Sequence, residues 1–287
     1  MMSFRLHQTE ATAQGIRRVC LAELEQTCAG MVAASHDPVA LHEVRKQLKK
    51  LRAALDLAQP AFGRAAKTEA KAIQGVARLL AQYRETEALL ILLEREARIA
   101  GSADFDFLET SVRLHQIAHR PPGNRSRDVE AGSRQLAEVK ARLEKLSLPE
   151  CPEGLFRRRF RKSYKDARDA CNALADKRNG DALHHFRKVN KRLLNQARLF
   201  QDWGGERFAD FRKKLVQLDD LLGRARDCAN LAAILRGVPA AEAPLQHGFG
   251  LRTRLESASA EATQAAMVLA ARVYRRSSRK FIARMLG

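Results

Sequence analysis

The residues best equipped for chemistry in this chain are cations, written twice in one order. The first run reads Leu41-His42, Arg45-Lys46 and Lys49-Lys50-Leu51-Arg52, and the second reads Leu183-His184, Arg187-Lys188 and Lys191-Arg192-Leu193. An arginine–acid pair follows each, Arg84-Glu85 and Arg226-Asp227, with 42 residues from histidine to arginine in both copies. Arginine, lysine and imidazole offer N–H donors and positive charge, which is the chemistry of holding an anion. Two matched sets point to a polyanion.

Such a set needs a scaffold, and almost the whole chain reads as helix. Leu, Ala, Arg, Lys, Glu and Gln dominate, and no stretch alternates with period two. A first helix is expected at about 4–34 and a second at about 38–58, separated by His36-Asp37-Pro38. Pro60 to Gly63 ends the second, and a long third helix runs to about Ala100. Gly101-Ser102 opens the next break, and Arg120 to Asn124 splits the fourth helical region in two. Leu148 to Pro152 is the expected linker. Beyond it, helices are expected at about 153–178, 181–202 and 206–236, broken at Arg178-Asn179-Gly180 and Trp203-Gly204-Gly205, with a last helix after the loop from Gly237 to Pro244. The expected fold is all-α: two pseudo-symmetric antiparallel four-helix bundles from an internal duplication, residues 1–148 and 149–287, sharing a basic groove.

On a helix, His42, Arg45, Lys46 and Lys49 fall within an arc of about 100°, with Lys50 and Arg52 on its flanks. Val44, Leu48, Leu51 and Leu55 lie opposite, so one side is core and the other a row of cations. His184, Arg187, Lys188, Lys191 and Arg192 repeat the arrangement against Phe186, Leu193 and Ala197. Asn190 stands where Leu48 does, and Leu194 replaces Arg52. No acid occurs between Arg45 and Arg52 or between Arg187 and Arg198, whereas a merely solvated face mixes in acids for i,i+4 pairing. The histidines can donate to phosphate when neutral and add charge near or below pH 6.5. Arg84 and Arg226 are placed to reach the same surface. The first helix of each half adds Arg17-Arg18 and Arg157-Arg158.

The chain's 287 residues carry 52 Lys+Arg against 33 Asp+Glu, a formal +19. Residues 1–148 hold 23 basic and 18 acidic groups and residues 149–287 hold 29 and 15, so the second half should feel an anion more strongly. Five scattered cysteines without a Cys-x-x-Cys pair point to reduced thiols in a cytoplasmic setting. The amino terminus lacks the apolar stretch of a signal peptide. The longest apolar runs, near Ala88–Leu93 and Ala265–Ala271, fall far short of a membrane span.

The doubled pattern Leu-His-x-x-Arg-Lys-x-x-Lys-Lys/Arg-Leu, each copy followed by Arg84-Glu85 or Arg226-Asp227, resembles the CHAD family (conserved histidine α-helical domain). The resemblance covers nearly the whole chain. It implies two four-helix bundles related by pseudo-symmetry, a basic central surface that binds inorganic polyphosphate, and association with polyphosphate granules. Carried over, it implies binding roles for His42, Arg45, Lys49, Arg52 and Arg84, and for His184, Arg187, Lys191 and Arg226. Glu85 departs mildly from the family's aspartate, and Leu194 from its cation. The amino-terminal Glu-x-Glu-x-Lys of a triphosphate-tunnel domain does not occur, so the expectation is a stand-alone module.

No glycine-rich phosphate loop occurs, and His115-x-x-x-His119 lacks the companions of a metal site. Cleaving polyphosphate normally calls for acids that hold divalent metal. The expectation is therefore a binding protein without catalysis, cofactor or metal, and not a membrane protein. A nucleic-acid protein is the rival, disfavoured by 6% aromatic content and the lack of a stacking or helix-turn-helix signature. A metal-dependent polyphosphatase is the less favoured alternative. The carboxy-terminal cations Arg272, Arg275, Arg276, Arg279, Lys280 and Arg284 either extend the groove or meet a partner.

Overall fold

The two cation-bearing helices start alike. Asp37 accepts from the backbone N–H of Val39 at 2.8 Å and of Ala40 at 3.2 Å, with Pro38 in the first turn. Asn179 accepts from Ala182 N–H at 2.8 Å. Each cap removes a donor that would otherwise be orphaned at the helix start. The caps lie 142 residues apart, the same offset as His42 and His184.

The computed structural model describes residues 4–100, 112–113, 124–177, 179–237 and 245–285, less the side chains at 82, 84–87, 97, 100 and 245–249. All regular elements among the described residues are helices: α1 (Thr12–Ala34), α2 (Pro38–Leu79), α3 (Ala81–Ala100), α4 (Arg125–Glu144), α5 (Glu153–Lys177), α6 (Gly180–Leu199), α7 (Gly205–Arg236), α8 (Leu245–Val273) and α9 (Ser278–Met285). No helix among them is long and apolar enough to cross a membrane.

Within α2 the chain reverses at Gly63, whose φ of 53° and ψ of −125° are open to glycine and hardly to any other residue. Arms 38–62 and 64–79 then lie antiparallel: Arg45 Nη1 donates to Ala77 O and Arg52 Nη2 to Gln74 Oε1, each at 3.2 Å. Gly205, with φ 56°, starts α7 and is again 142 residues on. The breaks expected at Pro60–Gly63 and Trp203–Gly205 therefore stand.

Other boundaries differ. The first helix begins at Thr12, because the segment before it is drawn out along the second half: Leu6 N–H donates to Leu199 O at 2.9 Å and Gln8 Nε2 to Asp202 O at 2.6 Å. The expected long third helix stops at Leu80, where the backbone turns (φ −85°, ψ −4°) into α3. The last helix is broken at 274–277, between α8 and α9. The expected interruptions at 101–102 and 120–123, and most of the loop 237–244, lie outside the described residues.

One contiguous core crosses the two halves. Leu24 of α1, Leu48, Leu51 and Leu55 of α2, Phe160 of α5, and Phe186 and Leu193 of α6 all belong to it. A second, smaller core joins Leu89 and Leu93 of α3 to Cys228, Leu231 and Leu235 of α7 and to Leu251 and Leu255 of α8. So α3, made by the first half, packs into the second. Polar ties reinforce the junction. Arg159 Nε donates to Asp56 O at 3.0 Å and its guanidinium pairs with the Asp56 carboxylate, to which Gln196 Nε2 also donates at 2.8 Å. The five cysteines are free, with Cys20, Cys171 and Cys228 buried.

Candidate polyanion-binding surface

The cations of α2 and α6 meet over α7. Leu41, Val44, Leu48, Leu51 and Leu55 of α2 are buried, as are Leu183, Phe186, Leu193 and Ala197 of α6, so each helix turns its charged side outward. Lys49 marks where the two stripes converge. Its stem is exposed, its ammonium end lies among other groups, and it makes no hydrogen bond or ion pair with a described residue. The protein crowded around its ammonium, and then the charges of Arg187, Arg45 and Lys191, push it down to about 8, with Asp219 pulling the other way. Two of those three cations come from the other half of the chain.

Arg187 lies across α7 with Nη2 3.5 Å from where a side chain on Gly223 would begin, so the glycine lets the guanidinium lie close to the helix. Its Nε is buried without a partner. Next to it, Arg226 donates from Nη1 to His184 Nδ1. Arginine cannot accept, so Nδ1 carries no proton, and the neutral ring keeps its N–H on Nε2. Desolvation, then Arg226, Arg187 and Lys188, hold the His184 pKa below its ordinary value, so the ring is neutral at pH 7. The 42-residue spacing of histidine and arginine is thus a contact between α6 and α7. Lys188 is exposed and unpaired among the described residues. Arg52 is half-buried, and desolvation followed by repulsion from Arg78 lowers its pKa.

Several predicted cations are turned to other work by acids, most of them on other helices. Lys50 pairs at 3.1 Å with buried Glu23 of α1 and stands 5.1 Å over the Phe4 ring. Arg192 pairs at 2.6 Å with Asp166 of α5. These two matched pairs clamp each cationic helix to the first helix of its half. Lys191 pairs with Asp219 of α7, and Lys46 with Glu43 at 2.8 Å. The stripes are therefore partly neutralised.

Three of the four first-helix arginines are engaged by partners near them. Arg17 donates to Leu146 O at 2.9 Å and to Gln14 at 2.7 Å. Arg18 chelates Glu10, with contacts of 2.6 and 3.0 Å. Arg157 pairs with Glu153 at 2.7 Å, and Arg158 is exposed on α5. It is their neighbour Arg159 that reaches the other half. His42 is exposed on the cationic side of α2. The side chains of Arg84 and Glu85, and the His115/His119 pair, lie outside the described residues. Among those described, no three His, Cys, Asp or Glu residues gather as metal ligands.

Sequence reasoning missed Glu23, Asp166 and Asp219, the acids that decide which cations stay unneutralised. It also missed Gly223, on which Arg187 rests. Only the placement of Asp219 and Gly223 on α7 ahead of Arg226-Asp227 hinted at them.

Two solved structures share this architecture. The crystal structure of the CHAD domain from the plant Ricinus communis aligns over 96% of this chain and 95% of its own, with a TM-score of 0.56 at 17% identity. PptA from Streptomyces chartreusis aligns over 93% of this chain and 100% of its own, with a TM-score of 0.60 at 14% identity. No curated protein matches the chain. The family model for the CHAD domain matches residues 16–236, a span that takes in both cation motifs and the Arg226-Asp227 pair, and on that match the chain belongs to the CHAD domain family.

Proposed function

We propose that this protein binds inorganic polyphosphate without cleaving it, through the cations that α2, α6 and α7 bring together, and that it associates with polyphosphate granules. One observation carries the reading: Lys49 stands unpaired among Arg45, Arg187 and Lys191, charge drawn from both halves and short of counter-charge. Such a cluster costs stability until an anion enters, and a linear phosphate polymer neutralises several cations at once. Neutral His184 adds a directional donor, Nε2–H, suited to a phosphate oxygen. Arginine forks match phosphate oxygens two at a time. Binding of this kind releases condensed counterions, so affinity falls steeply as salt rises.

The test is a salt-titrated competition on purified protein, with long polyphosphate set against single- and double-stranded DNA at equal phosphate concentration and phosphate release followed in magnesium. The expected result is preference for polyphosphate at physiological salt with no release of phosphate. Equal competition by DNA would reduce the surface to a generic polyanion site. Magnesium-dependent phosphate release would make the protein an enzyme.

A further inference from the structure

A second set of cations stands on the far side of the second half. Arg207 opens α7, Arg275 and Arg276 lie in the bend after α8, and Arg279, Lys280 and Arg284 are on α9. Arg276 is half-exposed and the other five are exposed, and none forms an ion pair with a described carboxylate. Three lysines on the adjoining helices are matched at i,i+4: Lys162 with Asp166 at 3.0 Å, Lys165 with Asp169 at 2.8 Å and Lys214 with Asp210 at 2.6 Å. Arg284 is pushed below its ordinary proton affinity by Arg276 first, then by Arg207 and, after slight desolvation, Arg275. Arg284 therefore faces Arg276, Arg207 and Arg275 as like charges, and α9 ends against the start of α7, where a side chain on Gly204 would begin 3.0 Å from Met285 O.

The patch is held rigidly. Phe281 stacks on Tyr164, ring centroids 3.9 Å apart at 7°. Tyr164 Oη donates to Val273 O at 3.2 Å and Arg276 O at 3.1 Å, fixing the bend. It is also separate from the motif cations. Tyr274, at the root of the bend, donates to buried Asn190 Oδ1 at 2.7 Å and lies 5.9 Å from the Phe186 ring. Those residues form the inward side of α6, whereas His184, Arg187, Lys188 and Lys191 are on its outward side. The bundle core lies between the two cationic surfaces.

We propose that Arg207, Arg275, Arg276, Arg279, Lys280 and Arg284 form a second phosphate-polymer site, so that one molecule ties together two strands. This rests on the polyphosphate reading of the first surface. The ligand class is set by what the patch lacks as well as by its charge. Phe281 and Tyr274 are buried, leaving no ring for a base to stack on, and no large apolar side chain from 275 to 285 is strongly exposed for insertion into a lipid surface.

The test compares wild type, a patch variant (Arg275→Glu, Arg279→Glu, Arg284→Glu) and a motif-surface variant (Lys49→Glu, Arg187→Glu). Calorimetry with a polyphosphate too short to span both faces counts chains per molecule. Light scattering with long polyphosphate reads bridging. The expected result is two short chains per wild-type molecule, one per molecule of either variant, and scattering from wild type alone. A wild type that takes one chain, still taken by the patch variant, overturns the second site and leaves the first reading intact. A motif-surface variant that binds as wild type, beside a patch variant that does not bind, instead sinks the first reading. Unchanged thermal midpoints certify the folds. If charge reversal loosens α9, the Arg→Gln set is expected to give the same count of one.

Discussion

The two copies of the motif use the same letters to different ends. In α6, Lys191 is held by Asp219. In α2, Lys49 has no such acid, and the position 142 residues before Asp219 is Ala77, whose carbonyl instead accepts from Arg45. Leu48 is plain core in α2, whereas its counterpart Asn190 is buried and anchored by Tyr274. Arg52 remains half-exposed, whereas its counterpart Leu194 is buried. Each copy has two cations paired with acids, Lys46 and Lys50 in α2 and Lys191 and Arg192 in α6, but at the point of convergence Lys191 is satisfied and Lys49 is not. The charge totals of the two halves run the other way, so local pairing, not net charge, decides where an anion is most needed.

The largest effect is expected from reversing the point where the copies converge. Lys49→Glu with Arg187→Glu should weaken polyphosphate binding at least about 100-fold, since each loss of a charged hydrogen bond is worth roughly 1.5–3 kcal/mol. Fluorescence anisotropy at physiological salt reads this, and a loss under tenfold would mean the convergence is incidental. Single substitutions should then separate the copies. Lys49→Ala should lower affinity about tenfold and leave stability unchanged or slightly higher, because it removes repulsion. Lys191→Ala should cost about 1–2 kcal/mol in denaturant unfolding, because mostly buried Asp219 loses its partner, a cost moderated by the partial exposure of Lys191. Equal behaviour of the two alanines would erase the distinction between the copies.

Exchanging the deciding acid is the finer test. Ala77→Asp should weaken binding several-fold by giving the α2 copy a carboxylate, and Asp219→Asn should strengthen it a few-fold by releasing Lys191. Salt-dependent titrations of the two should move in opposite directions. The smallest effect is in pH. With Lys49 at about 8 when empty, a bound anion raises that value, so affinity should fall as pH rises through 8, with proton uptake on binding near that pH. The unfolded lysine, near 10.5, binds more protons than the folded one between the two values. The stability of the empty protein should therefore rise over the same range in which its grip weakens. Calorimetry in buffers of different ionisation heat, beside thermal melts, checks both signs.

Much of the architecture was legible from the chain. Asp37-Pro38, Gly63 and Gly205 punctuate it through local backbone chemistry, and the helices on either side take their bounds from them. Leu79-Leu80-Ala81 contains no breaker, and the turn there comes from the partners that α3 finds in α7 and α8. The site divides in the same way. The wheel put Lys49, Arg187 and His184 on outward sides, and the equal spacing placed Arg226 at the same surface, though not its contact with His184. It did not foresee that Lys50 and Arg192 serve as clamps or that Arg17 and Arg18 bind locally, because Glu23, Asp166 and the Leu146 carbonyl arrive from other helices or from the chain beyond them. Periodicity gives a side chain's direction, and tertiary packing gives its company.

The seating of α3 sets a problem of timing during synthesis. Leu89 and Leu93 are sealed by Leu231, Leu235, Leu251 and Leu255, all of which leave the ribosome much later. At about 5–20 residues per second, the roughly 160 residues between Leu93 and Leu255 take on the order of 10–30 s to appear. Throughout that interval an apolar helix waits on a half-made protein, open to chaperones or to the same helix on a neighbouring nascent chain. The growing chain is thus most exposed to misassembly late in translation, after the first motif has emerged and before α8 arrives to close over it.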